Sequence, residues 1–151
     1  MKRVLLAVVA LVAFSLAIPF AQSRQVEWLY YGGDQGGSKS SALTDVNLET
    51  VQRLQIAWQW KHFDVPMEQY DTTPGQFEAV PLMIDGVLYV TTPYNNIAAH
   101  DAETGKELWR FDGEGYKLGQ LLSASGWKMR GTAFWRDKNK LYIFLNSRNR
   151  L

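Results

Sequence analysis

The chain of 151 residues contains no cysteine and only two histidines. Without cysteine there is no disulfide framework, no thiolate metal site and no lipoprotein-type acylation site. His62 and His100 lie far apart on unlike segments, so side-chain packing or solvent contact is expected of both rather than a shared metal ion. An excess of charge is lacking too. Lysine and arginine number 16 against 15 aspartates and glutamates, a formal net charge of +1. That balance leaves no basic patch for a phosphate backbone, and no nucleic-acid partner is expected. Arg148 and Arg150, near the end of the chain, read as solvated charges. Hydrophobic residues make up 46% of the chain and aromatics 13%, which excludes a disordered tail and suits a folded β protein.

The front end is a targeting segment. Met1-Lys2-Arg3 is basic, Val4 to Phe20 runs 17 residues without a charge, and Ala21-Gln22-Ser23 places small residues for cleavage after Ser23 or Ala21. Residues 1–23 therefore read as a secretory signal peptide, which implies export to the periplasm. An uncleaved anchor is the alternative, because 17 apolar residues can just span a bilayer. Pro19 beside the small-residue site favours removal. Losing Lys2 and Arg3 leaves the mature chain, from Arg24, at −1.

Residues 78 to 112 spell a four-stranded sheet. Glu78 to Ile84 is followed by Asp85-Gly86, a hairpin signal because both central residues must accept φ > 0. Val87 to Thr92, the breaker Pro93-Tyr94-Asn95-Asn96, Ile97 to Asp101, the turn Thr104-Gly105 and Glu107 to Phe111 complete it. Closing a sheet with Ala-x-x-Asp-x-x-x-Gly and then a tryptophan is a habit of propeller blades, with Trp109 expected to pack flat between neighbouring sheets. Such a blade needs a second to cover its face. Leu141-Tyr142-Ile143 echoes Leu88-Tyr89-Val90 at an offset of 53, and Lys138-Asn139-Lys140 stands where Asp85-Gly86 stood. The later positions of the second copy fall beyond Leu151, so the expectation is about one and a half blades of a larger all-β propeller.

Upstream, residues 30 to 45 read as a Gly- and Ser-rich loop in which Asp34 and Asp45 serve turns and caps. Asn47 is the expected N-cap of a short helix, Leu48 to Leu54. Gln55 to Trp60 is expected as a strand with Ile56, Trp58 and Trp60 on one face, Lys61 to Gln76 as a loop, and residues 113 to 129 as the connection between blades. Of the six tryptophans, Trp58, Trp60, Trp109 and Trp135 read as core and inter-blade packing.

Several of these pieces, in order, resemble the pyrroloquinoline quinone (PQQ)-dependent dehydrogenases. They are Tyr31-Gly32-Gly33-Asp34, Leu43-Thr44-Asp45-Val46-Asn47, Phe77-Glu78-Ala79-Val80-Pro81-Leu82, the clasp Ala99 to Trp109, and Arg130-Gly131. The resemblance covers nearly everything after residue 26. It implies an eight-bladed propeller about four times this length, of which residues 24–151 would be the first quarter, with Gln55 to Trp60 closing the ring. It implies oxidation of an alcohol, polyol or sugar and electron transfer to a respiratory quinone or cytochrome c, with membrane contact left open. It also implies PQQ and Ca²⁺ as cofactors, the calcium ligands and catalytic base lying in later blades. A non-catalytic binding or assembly propeller with the same repeat is the rival reading, and a remnant without a role the third.

Glu78 and Arg130 are the candidate cofactor-binding residues. With the offset of 53, Glu78 corresponds to Gly131, so both sit at the start of an innermost strand on one rim. A carboxylate and a planar guanidinium there could grip a planar anion or could simply form an inter-blade salt bridge. The resemblance implies contact with PQQ. Alcohol-oxidising relatives carry adjacent cysteines shortly before the arginine, whereas this chain has Ser123-Ala124-Ser125-Gly126-Trp127, which leans towards the glucose and polyol branch.

Overall fold

The computed structural model describes residues 26–122 and 126–148; the expected signal peptide, Ser123 to Ser125 and Arg150 lie outside them. The fold is all-β. Strands β1 (Leu82–Ile84), β2 (Val87–Thr91), β3 (Ile97–Asp101) and β4 (Glu107–Phe111) form an antiparallel meander in chain order. A second sheet begins with β5 (Ala133–Asp137) and β6 (Lys140–Phe144).

The repeat is visible in the register. Leu82 faces Tyr89 and Ile84 faces Val87 in the first hairpin, and the same pairings recur 53 residues later as Trp135 with Tyr142 and Asp137 with Lys140. Asp85 and Gly86 take φ of 51° and 75°, the turn whose twist matches the flanking strands. Lys138 holds the equivalent position at φ 52°.

Alternation along the strands gives the first sheet two apolar faces. On one, Leu82, Ile84, Tyr89, Ile97 and Ala99 are buried with Phe134, Leu141 and Ile143 of the second sheet against them. On the other, Ala98 and His100 are fully buried, and His100 is covered by Trp58 and Trp60. Two faces buried at once is what a blade between neighbours requires.

Gln55 to Trp60 is not a strand. No ladder forms there, and Ile56 is 74% exposed. Only the tryptophans dock: the Trp58 indole nitrogen donates to the Ala102 carbonyl at 3.1 Å, and its ring lies on the Gly105 turn. Gly105, at φ +73°, leaves no room there for a side chain. Trp109 lies between the first sheet and the second, 43% exposed in a groove shared with Phe111, Leu141, Ile143 and Leu145, its ring tilted 53° from Tyr89. The expected helix shrinks to a 3-10 turn at Val51–Arg53. Asn47 still caps this bend, its side-chain oxygen accepting from the amides of Glu49 and Thr50. Leu48, Val51 and Leu54 have helical spacing but stay exposed, so no packing sustains a longer helix.

The loops on either side of the first sheet are tied together from inside. Asp64 is buried and accepts from the Tyr94 amide at 2.6 Å and from the Asn96 side chain at 3.3 Å; Asn96 in turn accepts from the Gly113 amide at 2.9 Å. Trp127 is fully buried against Tyr94 and donates to the Thr72 hydroxyl at 2.8 Å. Arg148 is not simply solvated. Its guanidinium stacks over Trp127 and donates to the Leu118 carbonyl at 2.9 Å.

Candidate functional site

Two extended segments meet where the first sheet gives way to the second. Residues 78–80 lead into β1, residues 128–130 lead into β5, and the Val80 amide donates to the Arg130 carbonyl at 2.8 Å. Alternate residues of an extended chain share a side, so Glu78 and Val80 are in phase, as are Lys128 and Arg130. One backbone hydrogen bond thereby brings the charged side chains together.

Glu78 is the hub. Its Oε2 lies 3.6 Å from Nε of Arg130, so the pair expected from the sequence is brought into contact across the two blades. Its other oxygen, Oε1, lies 3.1 Å from the Lys128 ammonium, the shorter of the two contacts. The hydrogen bond from Lys128 is the chief reason the Glu78 carboxyl is held below the usual glutamate range. The positive charges of Lys128 and Arg130 act in the same direction, against a partial cost of burial. Arg130 projects into solvent, its side chain 82% exposed, while those of Glu78 and Lys128 are about one-third exposed.

Lys128 was not singled out by sequence reasoning. Its spacing of two from Arg130 was the available signal, but such spacing matters only once the segment is known to be extended beside residue 78. Phe77, next to Glu78, turns away from this cluster to stack on His62 with the rings 3° from parallel and 5.5 Å apart. His100 donates or accepts through Nδ1 at the Gly105 carbonyl, 3.2 Å away, and its edge meets Trp60. Both histidines therefore serve aromatic packing. Among the described residues, no three His, Asp or Glu side chains are grouped to hold a metal ion.

Three cationic and anionic groups with a net charge of +1 and an outward guanidinium can receive an acidic ligand with several coplanar oxygens. The donor set fits PQQ, a fused aromatic quinone bearing three carboxyl groups.

A model of the family described as glucose/ethanol/alcohol dehydrogenase, beta-propeller domain, matches residues 28–151. The chain is 34% identical to the dehydrogenase subunit of alcohol dehydrogenase (quinone) from Gluconobacter oxydans, over 91% of this chain and 19% of that protein. It is 37% identical to quinohemoprotein alcohol dehydrogenase ADH IIB from Pseudomonas putida, over 74% of this chain and 15% of the relative. The crystal structure of quinohemoprotein alcohol dehydrogenase from Comamonas testosteroni superposes with a TM-score of 0.57 at 26% identity, covering 80% of this chain and 16% of that one. The chain spans about a fifth or less of the length of these relatives.

Proposed function

Because the chain belongs to the PQQ glucose/ethanol/alcohol dehydrogenase β-propeller family, we propose that it forms part of a PQQ-dependent dehydrogenase oxidising an alcohol, polyol or sugar. The cluster of Glu78, Lys128 and Arg130 carries the proposal, since it presents cationic donors at the junction of two blades. PQQ, when bound, supplies a quinone that accepts two electrons. Arg130 would hold an anionic or carbonyl oxygen of the cofactor, and Glu78 would orient the guanidinium by taking its Nε. The alcohol dehydrogenases among the relatives favour an alcohol, while the cysteine-free stretch before Arg130 keeps polyols and sugars within the class. A respiratory quinone or cytochrome c as acceptor, Ca²⁺ held by ligands from outside this chain, and export to the periplasm through residues 1–23 belong to the same proposal.

The test is a titration with PQQ followed by the amide resonances of Val80 and Gly131. Arg130→Ala is expected to weaken binding by about tenfold, the effect of a lost charge-assisted contact, and Glu78→Gln by a similar factor, because the loss of the carboxylate that orients the guanidinium outweighs the charge it removes. Unchanged affinity in both variants would return the pair to a purely structural salt bridge. On its own the chain, given PQQ, Ca²⁺ and an artificial acceptor, is expected to bind weakly and not turn over. A monomer that oxidised glucose or an alcohol would overturn the placement of essential groups outside it.

A further inference from the structure

A Glu78–Arg130 pair by itself is a poor receptor for an anion. Its charges cancel, and a carboxylate close to a guanidinium competes with any incoming carboxylate for the same donors. The third member changes the balance. Lys128 takes Oε1 of Glu78 at 3.1 Å, while Arg130 approaches the other oxygen, Oε2, through Nε at 3.6 Å. Most of the Arg130 side chain stays open to solvent, 82% exposed, and so available to a ligand. Lys128 itself is not an ordinary solvated lysine, for most of its side chain is covered. Its backbone position is fixed from two sides: by Trp127 in the core immediately before it, and by the Val80–Arg130 hydrogen bond two residues after it.

We propose that Lys128 is a positioning and specificity-determining residue of the cofactor site. Its ammonium neutralises Glu78, fixes that carboxylate on the Lys128 side, and gives the cluster the surplus positive charge that selects an ionised polycarboxylate over a neutral quinone. This rests on the reading of the cluster as the PQQ site. Two consequences distinguish it from a lysine that merely braces two loops. Removing the ammonium should weaken an anionic ligand and spare an uncharged one of the same shape. The attraction should also fade with salt, as a net charge near a solvated rim must.

The probes are PQQ and its trimethyl ester, titrated onto the full chain at low and moderate salt. The wild type is expected to bind PQQ more tightly at low salt and to bind the ester weakly and without salt dependence. Lys128→Met is expected to lose about tenfold in PQQ affinity and nothing in ester affinity, whereas Lys128→Arg, which keeps the charge, should stay within about threefold of wild type. A ¹³C titration of the Glu78 carboxyl gives a readout without ligand: its midpoint should rise towards the ordinary value of 4.5 in Lys128→Met. Equal binding of PQQ and ester by the wild type would overturn the proposal without any variant, and so would PQQ affinity unchanged in Lys128→Met. Absence of any PQQ-induced shift near Glu78, Val80 and Arg130 in the wild type would instead sink the cofactor reading itself, and this inference with it.

Discussion

The Trp58 ring lies so close on Gly105 that a methyl group added to the glycine would sit 2.5 Å from Cδ2 of the indole. The left-handed backbone at Gly105 adds a conformational penalty to this collision. Gly105→Ala is therefore expected to destabilise the protein by about 1–3 kcal/mol, read by urea unfolding, and to shift the Trp58 indole proton as its bond to Ala102 is lost. An unchanged unfolding midpoint with an unchanged indole resonance would show that Trp58 does not dock there.

Trp127→Ala should cost about 3–5 kcal/mol, the usual penalty for emptying a fully enclosed aromatic site. Trp127→Phe should cost less, since it keeps most of the packing against Tyr94 and loses chiefly the bond to Thr72. Thermal unfolding of both variants ranks them, and an alanine variant as stable as the phenylalanine one would contradict the enclosed position.

Tyr116 gives a prediction at alkaline pH. Burial, followed by the hydrogen bond its hydroxyl donates to Asp112 at 2.9 Å, pushes its ionisation up from 10 to about 12. The fold favours the neutral phenol, so its contribution to stability is intact below pH 10 and is lost as pH climbs from 10 through about 12. Burial raises Tyr89 and Tyr94 as well, so ultraviolet titration should show several of the seven tyrosines ionising late, and Asp112→Asn should bring down the Tyr116 step alone. A Tyr116 step indifferent to Asp112 would assign the effect to burial alone.

Export is testable with the first 30 residues fused to a reporter that works only outside the cytoplasm. Activity is expected, with mature chains beginning at Gln22 or Arg24. Recovery of Met1 in the membrane fraction would mean an anchor instead.

The parts of the fold legible in the sequence were those set by local backbone chemistry. Asp85-Gly86 dictates its own turn whatever surrounds it, and the echo at Lys138 follows from a repeated pattern of apolar residues. Gln55 to Trp60 misled because alternation reports which side chains want to be buried, not whether a neighbouring backbone is there to pair with. Trp58 and Trp60 satisfy the pattern by docking on His100 without a ladder. Arg148 was misread because nothing in its sequence neighbourhood announces an indole 21 residues earlier. Glu78 and Arg130 could be paired from the repeat offset, since both precede equivalent strands. Lys128 and Asp64 could not, because each acts across a loop whose path the sequence leaves open.

Gly75 and Trp127 meet backbone to backbone, with no space for a side chain on the glycine. From that joint the chain runs three residues to Glu78 on one side and one residue to Lys128 on the other. The joint acts as a common origin from which both arms of the charged cluster are measured. One residue inserted between 75 and 78, or between 127 and 130, would displace one arm by up to ~3.5 Å, about the whole reach of an ion pair. The length of each loop is thus locked from this one contact to the charged cluster.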